Sequence, residues 1–128
     1  MASSDVTAAE LVMRCFAART AAHALHLGTR SYAKHMALGD FYDGIAGLAD
    51  SFAETFQGIY GLLKLPAGGG YDPAKDYKEG IALLAELRSW IQAKRRDIGS
   101  EKDTELQNII DEIVALVDST AYKLRFLG

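Results

Sequence analysis

The thirteen residues His23-Ala24-Leu25-His26-Leu27-Gly28-Thr29-Arg30-Ser31-Tyr32-Ala33-Lys34-His35 decide how the chain folds. Gly28 stands where a left-handed helix cap belongs, and Thr29 or Ser31 is placed to open a following helix. So short a link forces the two helices back on each other as an antiparallel hairpin. Upstream, Leu11, Cys15, Ala18, Ala22 and Leu25 recur at three- and four-residue intervals, the apolar stripe of a helix over about 7–27. Asp5 or Thr7 is its expected cap, with Glu10 completing a capping box after Thr7. Downstream, Leu38, Phe41, Ile45, Leu48 and Phe52 mark one face of a second helix, about 30–64. Gly39, Gly44 and Gly47 interrupt it at about 1 kcal/mol each relative to alanine. Small residues on a stripe offset that by letting a neighbouring helix approach closely.

Pro66 and the run Ala67-Gly68-Gly69-Gly70 form the one clear non-helical connection. Asp72-Pro73 reads as a cap followed by proline at a first helical position. A third helix, about 73–98, then carries Tyr77, Ile81, Leu84, Leu87 and Ile91 inward with Trp90 beside them, and Ile98-Gly99 closes it. Ser100 opens a fourth helix, about 101–126, which buries Leu106, Ile110, Ile113, Val117 and Leu124. No segment alternates with period two, so the expected fold is all-α: a single-domain four-helix bundle of two antiparallel hairpins over residues 1–128.

At 128 residues, 49% apolar and 24% charged, the chain is sized and composed for one globular domain. No run approaches the ~18–20 apolar residues of a membrane span, and the first ten residues lack the features of a signal peptide. The single cysteine, Cys15, has no internal disulfide partner and reads as a small core residue, in keeping with a cytoplasmic location. A net charge of −3 offers no general attraction for nucleic acid. The one basic cluster, Lys94-Arg95-Arg96, lies where cations complement a helix dipole. The chain contains neither a Gly-x-Ser-x-Gly elbow nor a zinc-finger Cys/His pairing, and the glycine run lacks the ending of a phosphate loop. No nucleophile-and-base arrangement supports a hydrolase.

Chemistry is concentrated in the first hairpin. His23, His26 and His35 bracket the turn at Gly28, a nitrogen donor set suited to a transition metal. Asp50 and Glu54 present two carboxylates one turn apart, and Asp43 and Gly47 continue their line. From His35 to Asp50 is fifteen residues, or ~22 Å of helix, so no single ion reaches both in one straight hairpin. A metal site of this composition therefore needs a twofold-related second copy, and it predicts a homo-oligomer. The plainer uses are half-buried helix residues for His23 and His26, a hydrogen bond from His35 to a neighbouring Asp or Tyr, and an exposed acidic face for Asp50 and Glu54.

His23, His35, Asp50 and Glu54, with Gly28 and the surrounding Leu38, Phe41, Leu48 and Ala53, resemble the Dps-like branch of the ferritin-like proteins, the mini-ferritins. That family carries histidine, histidine twelve residues later, aspartate fifteen further and glutamate four beyond. The resemblance implies a ferritin-like bundle, iron or another divalent transition metal at an intersubunit site, and iron oxidation as the reaction. The sequence departs from the family at Gly39, which stands at an aspartate ligand position with Asp40 and Asp43 nearby, and at Ala24, which replaces a tryptophan. It also has a shorter central connection and no lysine-rich tail. Separately, Ser31-Tyr32-Ala33-Lys34-His35-Met36-Ala37-Leu38 with Phe41-Tyr42-Asp43 resembles short phage-encoded helical proteins of unassigned function. That likeness implies the alternative of a non-enzymatic interaction or structural protein with a protein partner, in the host cytoplasm or the virion.

Overall fold

In a computed structural model, which describes residues 2–68 and 76–127 and side chains from Asp5 onward, the chain is all-helical, with no strand among the described residues. Helix α1 spans Ala2–Gly28, α2 Tyr32–Tyr60, α3 Gly80–Lys94 and α4 Thr104–Phe126, with a short 3-10 turn at Arg95–Asp97 after α3. Helix α1 packs on α2 and α3, and α4 packs on the same two, so α1 faces α4 across one diagonal. The expected four-helix bundle of two hairpins is what forms.

Two contacts set the direction of each helix. The Tyr60 hydroxyl at the end of α2 donates to the Asp103 carboxylate just before α4. Gly80, the first residue of α3, lies against Leu38 near the start of α2 and Leu124 near the end of α4. Helices α2 and α3 therefore run in the same direction, with the end of α2 and the start of α3 at opposite ends of the bundle. After α2 the chain passes over the first hairpin, where Leu65, Pro66 and Ala67 line a groove with Met13, Phe16 and Ala46. With this one crossover, every lateral pair of neighbours is antiparallel.

The core is the sum of the apolar stripes. Leu11, Val12, Phe41, Ile45, Phe52, Phe56, Leu84, Ile91, Leu106, Ile110, Ile113 and Val117 are fully buried. Each such side chain contributes about 1.5–3 kcal/mol by leaving water. Phe56, absent from the expected stripe, extends it one turn past Phe52. Leu25 and Leu48 are half-buried at its edges. Thr120 is the one buried polar residue among those described, and its hydroxyl donates to Leu116 O at 2.8 Å. Gly44 lets α4 approach, since a Cβ there would lie 3.1 Å from Leu116 Cδ2. Arg95 of the basic cluster turns onto α4, where its guanidinium donates to Asp111 at 2.5 Å and to Gln107 O at 3.2 Å.

Several boundaries differ from expectation. Helix α1 extends back to Ala2, so Asp5 and Thr7 lie inside it instead of capping it. Gly28 does not adopt a left-handed cap, because the helical pattern continues through Thr29 N to Leu25 O at 3.0 Å. The second helix ends at Tyr60, where Gly61 (φ 99°) breaks it. Asp72-Pro73 falls outside the described residues, and the third helix begins at Gly80, leaving the half-buried Tyr77 ahead of it. Ser100 belongs to the turn before α4, where its N–H donates to the Asp103 carboxylate at 2.8 Å. The Tyr60 hydroxyl, with this amide, holds the Asp103 carboxyl below its usual range. The clasp therefore acts in full above the ordinary carboxylate range and weakens as pH falls through the depressed value.

Gly99 is left-handed (φ 69°), and a Cβ there would lie 2.9 Å from Asp103 Oδ2, whereas Gly28 is helical with open space around it. Gly99→Ala is expected to lose about 1–3 kcal/mol. Gly28→Ala is expected to gain about 0.5–1 kcal/mol. Urea midpoints at constant m-value read both signs.

Candidate functional site: a histidine stack at the hairpin end

A three-residue link, Thr29-Arg30-Ser31, reverses the chain. Ser31 N donates to Thr29 Oγ1 at 3.2 Å, and Ser31 Oγ accepts from Lys34 N at 3.2 Å, capping α2. This tight reversal sets residue 26 of α1 level with residue 35 of α2. The imidazoles of His26 and His35 then stack, with centroids 3.7 Å apart and planes 18° from parallel. Each ring also bonds the other residue's main chain: His26 Nδ1 lies 2.5 Å from His35 O, and His35 Nδ1 lies 2.8 Å from His26 O. A carbonyl oxygen only accepts, so both Nδ1 atoms carry a proton. In the neutral form each ring keeps its lone pair on Nε2.

The cluster extends beyond the pair. Tyr42 stacks on His23 at 4.2 Å and presents its ring edge-on to His26 at 5.3 Å. His23 and His26 are tilted at 6.1 Å, and Tyr32 lies 6.3 Å from His35 on the open side. Gly39 makes the arrangement possible, because a Cβ there would fall 3.0 Å from His26 Cε1 and 3.1 Å from its Nδ1. The helix gives up about 1 kcal/mol of propensity at this position. Stacking and two hydrogen bonds, at roughly 1 kcal/mol each, offset it.

The three imidazoles gather at one end as the sequence suggests, but they do not converge on one point. Two nearly parallel rings 3.7 Å apart have lone pairs in separate planes. An ion ~2.0 Å from one Nε2 in its ring plane lies out of the plane of the other. Among the described residues no group of three or more His, Cys, Asp or Glu is arranged to hold a metal ion within one chain. Asp43, Asp50 and Glu54 are exposed on the face of α2 opposite its buried seam, with no hydrogen bond or ion pair among the described residues. The structure thus separates the two halves of the expected ligand set, as the helical distance requires. His35 bonds a main-chain carbonyl instead of a neighbouring Asp or Tyr.

Cys15 takes no part. Burial pushes its thiol up to about 12, and the thiolate is the form that binds metals or attacks. Tyr42 and Gly39 are the site residues that sequence reasoning did not assign. Their spacing held the signal, since positions 35, 39 and 42 form one stripe that meets α1. Reading a role into it required knowing that α1 brings two histidines opposite.

The profile of a family of unknown function, DUF5856, matches residues 26–124. No curated protein and no solved structure matches the chain. Among the described residues no helix is long and apolar enough to cross a membrane.

A methyl group at 39 has to displace a ring already pinned by His35 and Tyr42, whereas Gly47 has nothing within 4 Å. Gly47→Ala is expected to stabilise the protein by about 1 kcal/mol, the ordinary helix gain. Gly39→Ala is expected to lose that gain and shift the His26 and His35 imidazole NMR signals, which Gly47→Ala leaves in place.

Proposed function

The chain belongs to DUF5856, a family of unknown function, and from its own residues we propose a helical-bundle protein that binds iron or a similar divalent metal between two copies. The observation that carries this reading is the bond from His35 Nδ1 to His26 O. Metal-ligating imidazoles commonly donate their second ring nitrogen to a carbonyl or carboxylate, which orients the ring and leaves the other nitrogen basic. His35 is in that state. In the proposed arrangement His23 and His35 of one protomer meet Asp50 and Glu54 of the other, with His26 and Asp43 alongside. The exposed, unpaired carboxylates are suitable partners for a cation. A single long crossover is also the connectivity of ferritin-like bundles, which supports the likeness to mini-ferritins. Held by these groups, iron would supply redox chemistry toward oxygen or peroxide, and ferroxidase activity is the reaction proposed.

The register follows from arithmetic. Antiparallel helices face each other at positions whose numbers share one sum, so pairing His35 with residues 50–54 puts the twofold axis beside Asp43 and Gly44. The two Asp43 carboxylates then approach each other, a like-charge contact that a cation relieves.

The alternative is a non-enzymatic interaction or structural protein of the phage-encoded kind that the second helix resembles. What favours it is the bundle interior, which buries only one polar residue, Thr120, among those described.

Purification without chelator followed by metal analysis and light scattering is expected to give a metal-loaded dimer or larger assembly. His35→Ala and Asp50→Asn/Glu54→Gln should each remove the metal. Mixed dimers of the two variants should regain half the sites, because one of the two symmetry-related sites at their interface keeps wild-type groups from both protomers. A monomer without metal, or no recovery on mixing, sinks the reading and favours the alternative. In metal-free buffer, Asp43→Asn is expected to tighten the dimer several-fold by sedimentation, since it removes the axial repulsion.

A further inference from the structure

The stacked pair is not symmetric in its surroundings, and the asymmetry assigns different work to its two members. Both rings are half-buried, but His26 has more neighbours: His35 covers one face at 3.7 Å, Tyr42 meets it edge-on at 5.3 Å, His23 stands at 6.1 Å and Gly39 leaves no Cβ between its ring and the α2 backbone. His35 has His26 on one face and, on the other side, only Tyr32, which is 76% exposed. The near-parallel planes prevent a single ion from taking both Nε2 atoms, so only one ring of the pair can serve a given ion. The one with fewer ring neighbours is His35.

We propose that His26 is a positioning residue for His35 and not a ligand beside it. The His26 carbonyl takes the Nδ1 proton of His35, and the His26 ring covers one face of the His35 imidazole. Together they hold His35 in the tautomer whose Nε2 lone pair is presented at the edge of the cluster. Gly39 and Tyr42 hold His26 in turn, through the space the first leaves and the edge-on contact of the second. This inference rests on the metal-binding reading for its purpose, but the positioning itself can be read in the metal-free protein.

The test uses the full chain, imidazole nitrogen–proton correlation NMR and zinc titration by calorimetry, on the wild type and His26→Phe, His26→Ala and His35→Ala. In the metal-free wild type His35 is expected in the Nδ1-protonated tautomer. His26→Phe keeps a flat ring over His35 without a nitrogen and should retain zinc affinity within about threefold. His26→Ala should mix the His35 tautomers and weaken zinc binding by ~10-fold or more, the usual loss when an orienting neighbour of a ligand is removed. His35→Ala should abolish binding. If His26→Phe falls as far as His35→Ala, His26 is itself a ligand and the proposal is overturned. If His26→Ala leaves the tautomer unchanged, its ring merely packs and the proposal is equally overturned, whatever zinc does. A wild type that binds no zinc, combined with tautomer mixing in His26→Ala, overturns the metal reading and upholds the positioning.

Discussion

The apolar seam along α2, from Leu38 through Phe41, Ile45 and Phe52 to Phe56, is the surface against which both hairpins fold. It meets α1 on one flank and α4 on the other, and α3 closes the bundle across the diagonal. Because the seam is continuous over most of a 29-residue helix, α2 can carry glycines at positions 39 and 44 and remain helical. Burial of three phenylalanines outweighs the propensity lost there, each contributing about 1.5–3 kcal/mol against about 1 kcal/mol per glycine. The glycines in turn bring the neighbouring helices close, α4 through Leu116 and α1 through His26.

At the hairpin end that closeness changes what histidine can do. With a side chain at position 39, α1 and α2 would still pair, but the His26 ring would be turned away from His35. In the gap left by the glycine the two residues exchange ring-to-carbonyl hydrogen bonds, so main-chain acceptors level with the turn gain partners and both rings are fixed in one tautomer. The same contacts that hold the hairpin together engage Nδ1 of each ring and leave its Nε2 outside the exchange. Hairpin stability and tautomer come from one arrangement here, because a hydrogen bond from one ring nitrogen of an imidazole leaves the lone pair on the other.

Charge is distributed along α2 in a complementary way. The helix buries its apolar face, turns its histidine and tyrosine flank to α1, and leaves Asp43, Asp50 and Glu54 on the face opposite the core. A helix is rigid over this length, so groups ~22 Å apart along it stay apart within one chain. Whatever joins the imidazoles to the carboxylates has to come from another molecule. Another polar cluster, Tyr60 with Asp103 and Ser100, sits at the far end of the bundle and ties α2 to the start of α4.

Read by itself, the amino-acid order determined the helical class, the number of helices, most of the core and the grouping of the three histidines at a turn. Those features follow from periodicities of three and four residues and from a link too short to do anything but reverse the chain. Helix ends were less legible. Gly28 has the residue type of a left-handed cap yet stays helical, since Ser31 caps the next helix and the reversal needs no positive φ. Only the tertiary structure decided that α2 and α3 run the same way, because that rests on contacts of Gly80 with Leu38 and Leu124, far apart in the chain. It also decided that His26 and His35 stack instead of converging, and that Gly39 and Tyr42 belong with them. Ring orientation depends on the distance between two helix axes, and no spacing within one helix encodes that distance.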